Sequence, residues 1–344
     1  MRLPAEKKLA KKKTLCYANI KQNMEECAVK KGKKRVITIV IAILAFLVVG
    51  SVLGMYFAAA SVYDRNFRYR CTTSAADTYT VEQFPGLARQ RHTFRSNAGQ
   101  QLVGYLYARE DTQIGKKAVI VFAHGLGGGG QTGYMDIFDF FTKQGFYVFA
   151  YDATGNDESE GKVIGGLPQG FIDLDHAINY VGTIAELQGL PVMLMGYSWG
   201  AFSVSNVLNY HPEAKAVAAV AGWDKSADLT EHRGRQQAGE AVKWLLPFVS
   251  VYEHVKYGRY AGSTAMKGFA NSDCDVMIVH GEKDTVVPIG YGYDTYFEKY
   301  GEDPRFTFKK YKMRGHDVMD YLPDSRDYAL MEEIAAFFDK SIAD

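Results

Sequence analysis

The sequence predicts an α/β fold: a mostly parallel central sheet with helices on both faces, preceded by one N-terminal transmembrane helix. Three observations predict it. From about residue 90 onward, short continuous apolar runs alternate with helical stretches, the rhythm of parallel strands joined by crossover helices. Residues 36–62 are almost continuously apolar and carry no charge, and a helix of about 20 such residues crosses a bilayer. Gly196-Tyr197-Ser198-Trp199-Gly200 stands between the apolar run Val192-Met193-Leu194-Met195 and a helical stretch, which reads as strand, tight turn and helix with a serine at the apex.

The N-terminus comes first. Residues 1–35 hold 12 Lys and Arg against 3 Asp and Glu, a net of +9, so the rest of the chain carries −8 to give the overall +1. A basic lead followed by a long apolar run predicts an uncleaved signal anchor over 36–62 rather than a cleaved signal peptide. Because basic residues stay on the cytoplasmic side, the expectation is a single-pass cell-membrane protein with a cytoplasmic N-terminus and an extracytoplasmic domain. The basic run suits anionic lipid headgroups. Nucleic-acid binding is not expected, since no folded reader accompanies it. Residues 63–86 are expected to be a stalk, and 87–344 the folded domain.

Within that domain, residues 94–100 and 102–107 read as two strands joined by a hairpin with a Gly turn. Strands follow at 118–123, 145–151, 192–195, 216–221, 276–280 and 306–311, with helices at 134–144, 167–181, 198–210 and 327–342 between and after them. Apolar residues make up 47% of 344, ample for one large core. The interval 223–269, between the fourth and fifth of these runs, is an insertion expected to form a lid, with Trp223 and Trp244 as candidate pocket-lining residues. Cys16 and Cys27 precede the apolar run and Cys71 and Cys274 follow it. Their spacing matches no metal site, and the latter two are positioned to pair only in an oxidising compartment.

The chemistry collects at strand ends. Glycines at 196 and 200 are needed because side chains there would collide with the neighbouring strand and helix, and the serine between them is held strained and exposed. Upstream, the strand at 118–123 ends in His124-Gly125-Leu126-Gly127 and three more glycines. Backbone N–H groups aimed at a developing oxyanion come from the residue after the nucleophile, Trp199, and from this loop, where Leu126 is the candidate. A phosphate-binding reading fails, because no Lys-Ser/Thr follows the glycines. Asp284, in Gly281-Glu282-Lys283-Asp284 just past a strand end, is the candidate acid, with Glu282 and Asp224 as fallbacks. His316, in Arg314-Gly315-His316-Asp317 after the last strand, is the candidate base. The order Ser, Asp, His separates this pattern from the other serine-protease arrangements. His124 is expected to shape the oxyanion loop and His280 to pack at a strand end.

These motifs, together with Tyr151-Asp152-Ala153-Thr154-Gly155 leading to Ser159-Glu160-Gly161, resemble the α/β-hydrolase superfamily, and within it the serine aminopeptidase and monoacylglycerol-lipase-like group. The resemblance runs from about residue 90 to the C-terminus. It implies the α/β-hydrolase fold with a lid insertion, a triad of Ser198, Asp284 and His316, oxyanion donors at Leu126 and Trp199, and no cofactor or metal. The sequence departs from the group at Asn156-Asp157-Glu158, which makes the loop after Asp152 acidic.

The leading expectation is therefore a membrane-anchored serine hydrolase, a carboxylesterase or lipase acting on a small-molecule ester or lipid through an acyl-enzyme. One alternative is an aminopeptidase-type enzyme on the same triad acting on a peptide, with Glu158, Glu160 or Asp224 meeting the substrate amine. A non-catalytic hydrolase-like binding protein is the other.

Overall fold

The computed structural model describes residues 5–109, 116–322 and 325–343. The chain divides into two compact units, Met1–Ala58 and Ala59–Asp344. Helix α1 (Ala5–Phe67) supplies every described residue of the first. It is long and apolar enough to cross a membrane, and none of its most apolar stretch is buried within the protein. The basic lead is thus helical from Ala5; residues 1–4 of that segment lie outside the described residues.

The second unit is built on an eight-stranded sheet. Its strands are β1 (Leu87–Arg95), β2 (Gln101–Arg109), β3 (Val119–Ala123), β4 (Tyr147–Tyr151), β5 (Val192–Tyr197), β6 (Ala216–Val220), β7 (Asp275–Gly281) and β8 (Phe306–Tyr311). They lie in the order β1-β2-β4-β3-β5-β6-β7-β8. The β1–β2 and β2–β4 pairs are antiparallel, and every later pair is parallel. Helices α2 (Met135–Lys143), α3 (Gln169–Val181), α4 (Trp199–Val207), α5 (Ser226–Ala238), α6 (Leu246–Tyr257), α7 (Ala265–Asn271), α8 (Tyr293–Tyr300) and α9 (Tyr328–Ala343) complete the layers.

Alternation along each strand divides the core in two. Val119 and Val121 of β3, Leu194 of β5 and Val217 of β6 pack on one face with α3, α4 and α8. Ile120, Phe122, Met193, Met195 and Ala218 pack on the other with α2 and α9. Both faces of these strands are covered, which is why they read as unbroken apolar runs. The insertion between β6 and β7 is helical, comprising α5, α6 and α7.

Two expectations need correction. The first strand of the hairpin is Leu87–Arg95, and residues 96–100 form the turn, closed by Ser96 N–H donating to the Gln100 carbonyl and by Gly99 at φ +82. Residues 63–86 are not a free stalk. The second unit begins at Ala59, inside the expected span, and Tyr63, Phe67 and Cys71 are all buried in its core. Tyr63 donates to Glu253 at 2.7 Å, Tyr252 donates to Asp64 at 2.7 Å, and Cys71 bridges to Asn156 as a parallel partner. Tyr63, Phe67 and Cys71, expected in a stalk, are instead core residues. Cys71 and Cys274 are both buried and both free thiols.

Candidate active site

Strand β5 runs into α4 through Ser198, whose backbone sits at φ 55, ψ −113, a region disfavoured for a side-chain-bearing residue. The flanking glycines are required by space. A Cβ on Gly196 would lie 2.3 Å from the Gly200 carbonyl carbon, and one on Gly200 would lie 1.8 Å from the Ala123 oxygen. The turn is pinned by Ser198 N–H donating to the Val220 carbonyl at 2.8 Å.

His316 and Asp284 arrive from the loops after β8 and β7. Ser198 Oγ lies 2.9 Å from His316 Nε2, and His316 Nδ1 lies 2.8 Å from Asp284 Oδ2. The carboxylate can only accept, so Nδ1 carries the proton and Nε2 is left to accept from the serine. Asp284 is itself held by four donors: Val286 and Val287 N–H on Oδ1, and His316 and His280 on Oδ2. Burial works against its charge, but the His280 and His316 hydrogen bonds outweigh that and hold its pKa well below the usual carboxylate range. The fallback acids are engaged elsewhere or exposed: Asp224 accepts from Met266 N–H at 2.9 Å, and Glu282 faces solvent.

The Gly-rich loop after β3 is braced on three sides. His124 Nε2 accepts from Ala153 N–H at 3.0 Å, so its Nδ1–H donates to the Gly125 carbonyl at 2.8 Å. Burial lowers the His124 pKa, which keeps the ring neutral for this role. Asp157 accepts from Gly130 N–H at 2.8 Å and from Thr73 N–H at 2.7 Å. Asp152 accepts from Gln131 N–H at 2.8 Å. A Cβ on Gly130 would lie 1.9 Å from Asp152 Oδ1, so only glycine allows this approach. The acidic departure at 156–158 thus has a structural use, and Glu158 pairs with Arg91 at 3.2 Å. Among the described residues, no hydrogen-bond partner occupies the N–H of Leu126 or of Trp199.

The comparisons fit this geometry. Residues 115–257 match the family described as serine aminopeptidase, S33, the group that the motifs resemble. The match contains the elbow and ends before Asp284. Esterase Pf2001 of Pyrococcus furiosus superposes with a TM-score of 0.61 at 15% identity, over 80% of this chain and 99% of that one. The α/β hydrolase GrgF of Penicillium sp. sh18 gives 0.54 at 15% identity, over 75% and 100%. The acylaminoacyl peptidase of Pyrococcus horikoshii gives 0.55 at 17% identity, over 75% of this chain and 42% of that one. No relative was found among curated protein sequences.

This is an α/β-hydrolase fold. The roles of two neighbours of the site escape sequence reading. His280 is fully buried on β7, its Nε2 lying 3.0 Å from the Val287 carbonyl and 3.3 Å from Asp284 Oδ2. It stands four residues before Asp284, a spacing with no meaning until the turn after β7 folds back. Tyr197 donates to Asp317 at 3.0 Å and to the His316 carbonyl at 3.2 Å, fixing the histidine loop to the elbow. The expected pocket-lining tryptophans are misplaced. Trp223 is buried and stacks on Phe202 at 4.6 Å, whereas Trp244 is 79% exposed. Its apolar neighbours Leu245 and Leu246 turn inward instead.

Proposed function

We propose that this protein is a membrane-anchored serine hydrolase that cleaves an ester through an acyl-enzyme, with Ser198 as nucleophile, His316 as general base and acid, and Asp284 as its partner. The observation that carries this reading is the unbroken hydrogen-bonded relay from Ser198 Oγ through His316 to Asp284, at 2.9 and 2.8 Å. In the first half-reaction His316 Nε2 takes the Ser198 proton as Oγ bonds to the substrate carbonyl carbon. The oxyanion settles on the N–H groups of Leu126 and Trp199. His316 then returns the proton to the leaving oxygen as the C–O bond breaks. Water repeats the sequence on the acyl-enzyme and frees Ser198. The apolar stretch of α1 serves as the anchor, with the basic lead cytoplasmic and the hydrolase domain outside.

Ser198→Ala is expected to abolish ester turnover and labelling by a fluorophosphonate probe while leaving the melting temperature within a few degrees of wild type. Undiminished turnover in that variant removes Ser198 from the mechanism.

A peptidase reading has one observation behind it. A cavity of about 480 Å³ shares Tyr197 with the elbow and is lined by Asp77, Asp136, Asp317 and Asp320 against Arg326. Such a lining suits a substrate carrying a protonated amine. The three acids expected for that role are otherwise engaged: Glu158 with Arg91, Glu160 with Gln101 N–H, and Asp224 with Met266 N–H. Parallel assays on p-nitrophenyl esters and aminoacyl anilides separate the two readings, and faster turnover of the anilides would favour the peptidase.

A further inference from the structure

The last turns of α1, with α5, α6 and the 3-10 turn between them, line a partly open cavity of about 160 Å³. Leu167, Leu229, Val242, Leu246 and Val249 make its walls apolar. Neither Ser198, His316 nor Leu126 lines it.

Of the polar groups in the lining, Tyr63 donates to Glu253 and Gln237 donates to Asn66 Oδ1, which leaves two side chains without a partner. Arg233 is half-buried there. Burial pulls its pKa below the ordinary arginine value, only partly offset by the Tyr69 phenol. Among the described residues no carboxylate lies within ion-pair distance of it. The neighbouring cations are paired: Lys225, just before α5, with Asp228, and Arg235 with Glu231 and Glu240. The second group is Thr230, whose Oγ1 is buried without a hydrogen-bond partner. A half-buried cation without a counterion and a buried hydroxyl without a partner each cost stability. One anionic head carrying two acceptor oxygens offsets both. Outside these groups and the Asn66–Gln237 pair the lining is hydrocarbon, and the cavity is of the order of the 150 Å³ space that takes a benzene-sized guest, so it holds the first several carbons of one alkyl chain while the rest leaves through its open side.

We propose that this cavity binds a single-chain fatty carboxylate, its head on Arg233 and Thr230 and its chain among Leu229, Val242, Leu246 and Val249. The proposal is independent of the role given to Ser198, so its test uses the full chain carrying Ser198→Ala, in which no acyl-enzyme forms. Native mass spectrometry in a sugar-headgroup detergent, titrated with dodecanoate or with dodecanol, reads occupancy directly.

One equivalent of dodecanoate is expected, held at least tenfold more tightly than dodecanol. Arg233→Gln is expected to weaken dodecanoate at least tenfold and to leave dodecanol unchanged. Val249→Trp, which fills the cavity, is expected to abolish both, with thermal melting reporting whether that variant folds. If it does not fold, the Arg233→Gln contrast alone decides. Equal retention of acid and alcohol, or unchanged dodecanoate affinity in Arg233→Gln, overturns the proposal.

Discussion

Two buried aspartates of this chain titrate in opposite directions, and their positions say why. Asp284 receives four donors, so its folded-state pKa is depressed. A depressed carboxylate stabilises the fold above its unfolded pKa, near 3.9, and that contribution disappears as pH falls through the folded value. The margin in melting temperature of wild type over Asp284→Asn is therefore expected to be full at pH 6 and to shrink steadily below about pH 4. Turnover in that variant is expected to fall by roughly 10⁴-fold at neutral pH, because the amide stabilises the wrong histidine tautomer. Asp152 is the reverse case. Burial dominates over its hydrogen bonds from Gln131 and Glu158 N–H and raises its pKa to about 7. With the folded value above the unfolded one, stability falls as pH rises from about 4 to 7, by at most ~4 kcal/mol. Asp152→Asn removes the titrating group. Its melting temperature relative to wild type is expected to climb across that window, whatever constant offset the lost Glu158 N–H acceptor imposes. A flat difference between the two proteins contradicts the buried-carboxyl account.

At the scale of elements, the loop that presents Leu126 is held by three partners from two separate segments: Ala153 through His124 and Asp157 through Gly130, both from the loop after β4, and Thr73, which donates to the same Asp157. On the proposed mechanism, weakening this brace affects where the Leu126 N–H points rather than how substrate is gripped. Asp157→Asn is expected to lower kcat about tenfold or more with KM within twofold, and Thr73→Val to do so by less, since its backbone N–H still reaches Asp157. A matched rise in KM would instead show that the loop shapes the binding pocket. The inner strands were legible in the sequence because β3, β5 and β6 are covered on both faces, and Ser198, Asp284 and His316 because each follows the end of a strand, β5, β7 and β8 respectively. Strand β1 was misread because it is an edge strand, with Arg89, Gln90 and Arg91 exposed. The brace was invisible because Thr73, Gly130 and Asp157 come from distant stretches that share no periodicity. Trp244 misled for a different reason. An aromatic in an amphipathic insertion invites a pocket role, yet which way it faces is decided by the 3-10 turn it ends.

At the scale of the whole molecule, the boundary that matters is not the end of the apolar run but Ala59, where the chain enters the second compact unit. Between Ala59 and residue 86 the chain adds Tyr63, Phe67 and Cys71 to the core and gives Arg70 to the Asp157 and Ser159 carbonyls at 2.8 and 3.0 Å. It also carries Thr73 to the oxyanion loop at 2.7 Å from Asp157. A protein beginning at residue 59 keeps all of this, and is expected to fold with a kcat within about twofold of the full chain in detergent. A protein beginning at residue 87 retains the whole sheet and the Ser198–His316–Asp284 relay, yet loses three buried hydrophobic groups and the Thr73 part of the brace. Truncating one large buried side chain costs about 3–5 kcal/mol, a large share of the 5–15 kcal/mol by which domains are stable. The shorter protein is expected to melt at least 10 °C lower or to aggregate, and whatever fraction stays soluble to turn over ester at least tenfold more slowly. Equal melting and turnover in the two proteins would mean that residues 59–86 are a tether after all.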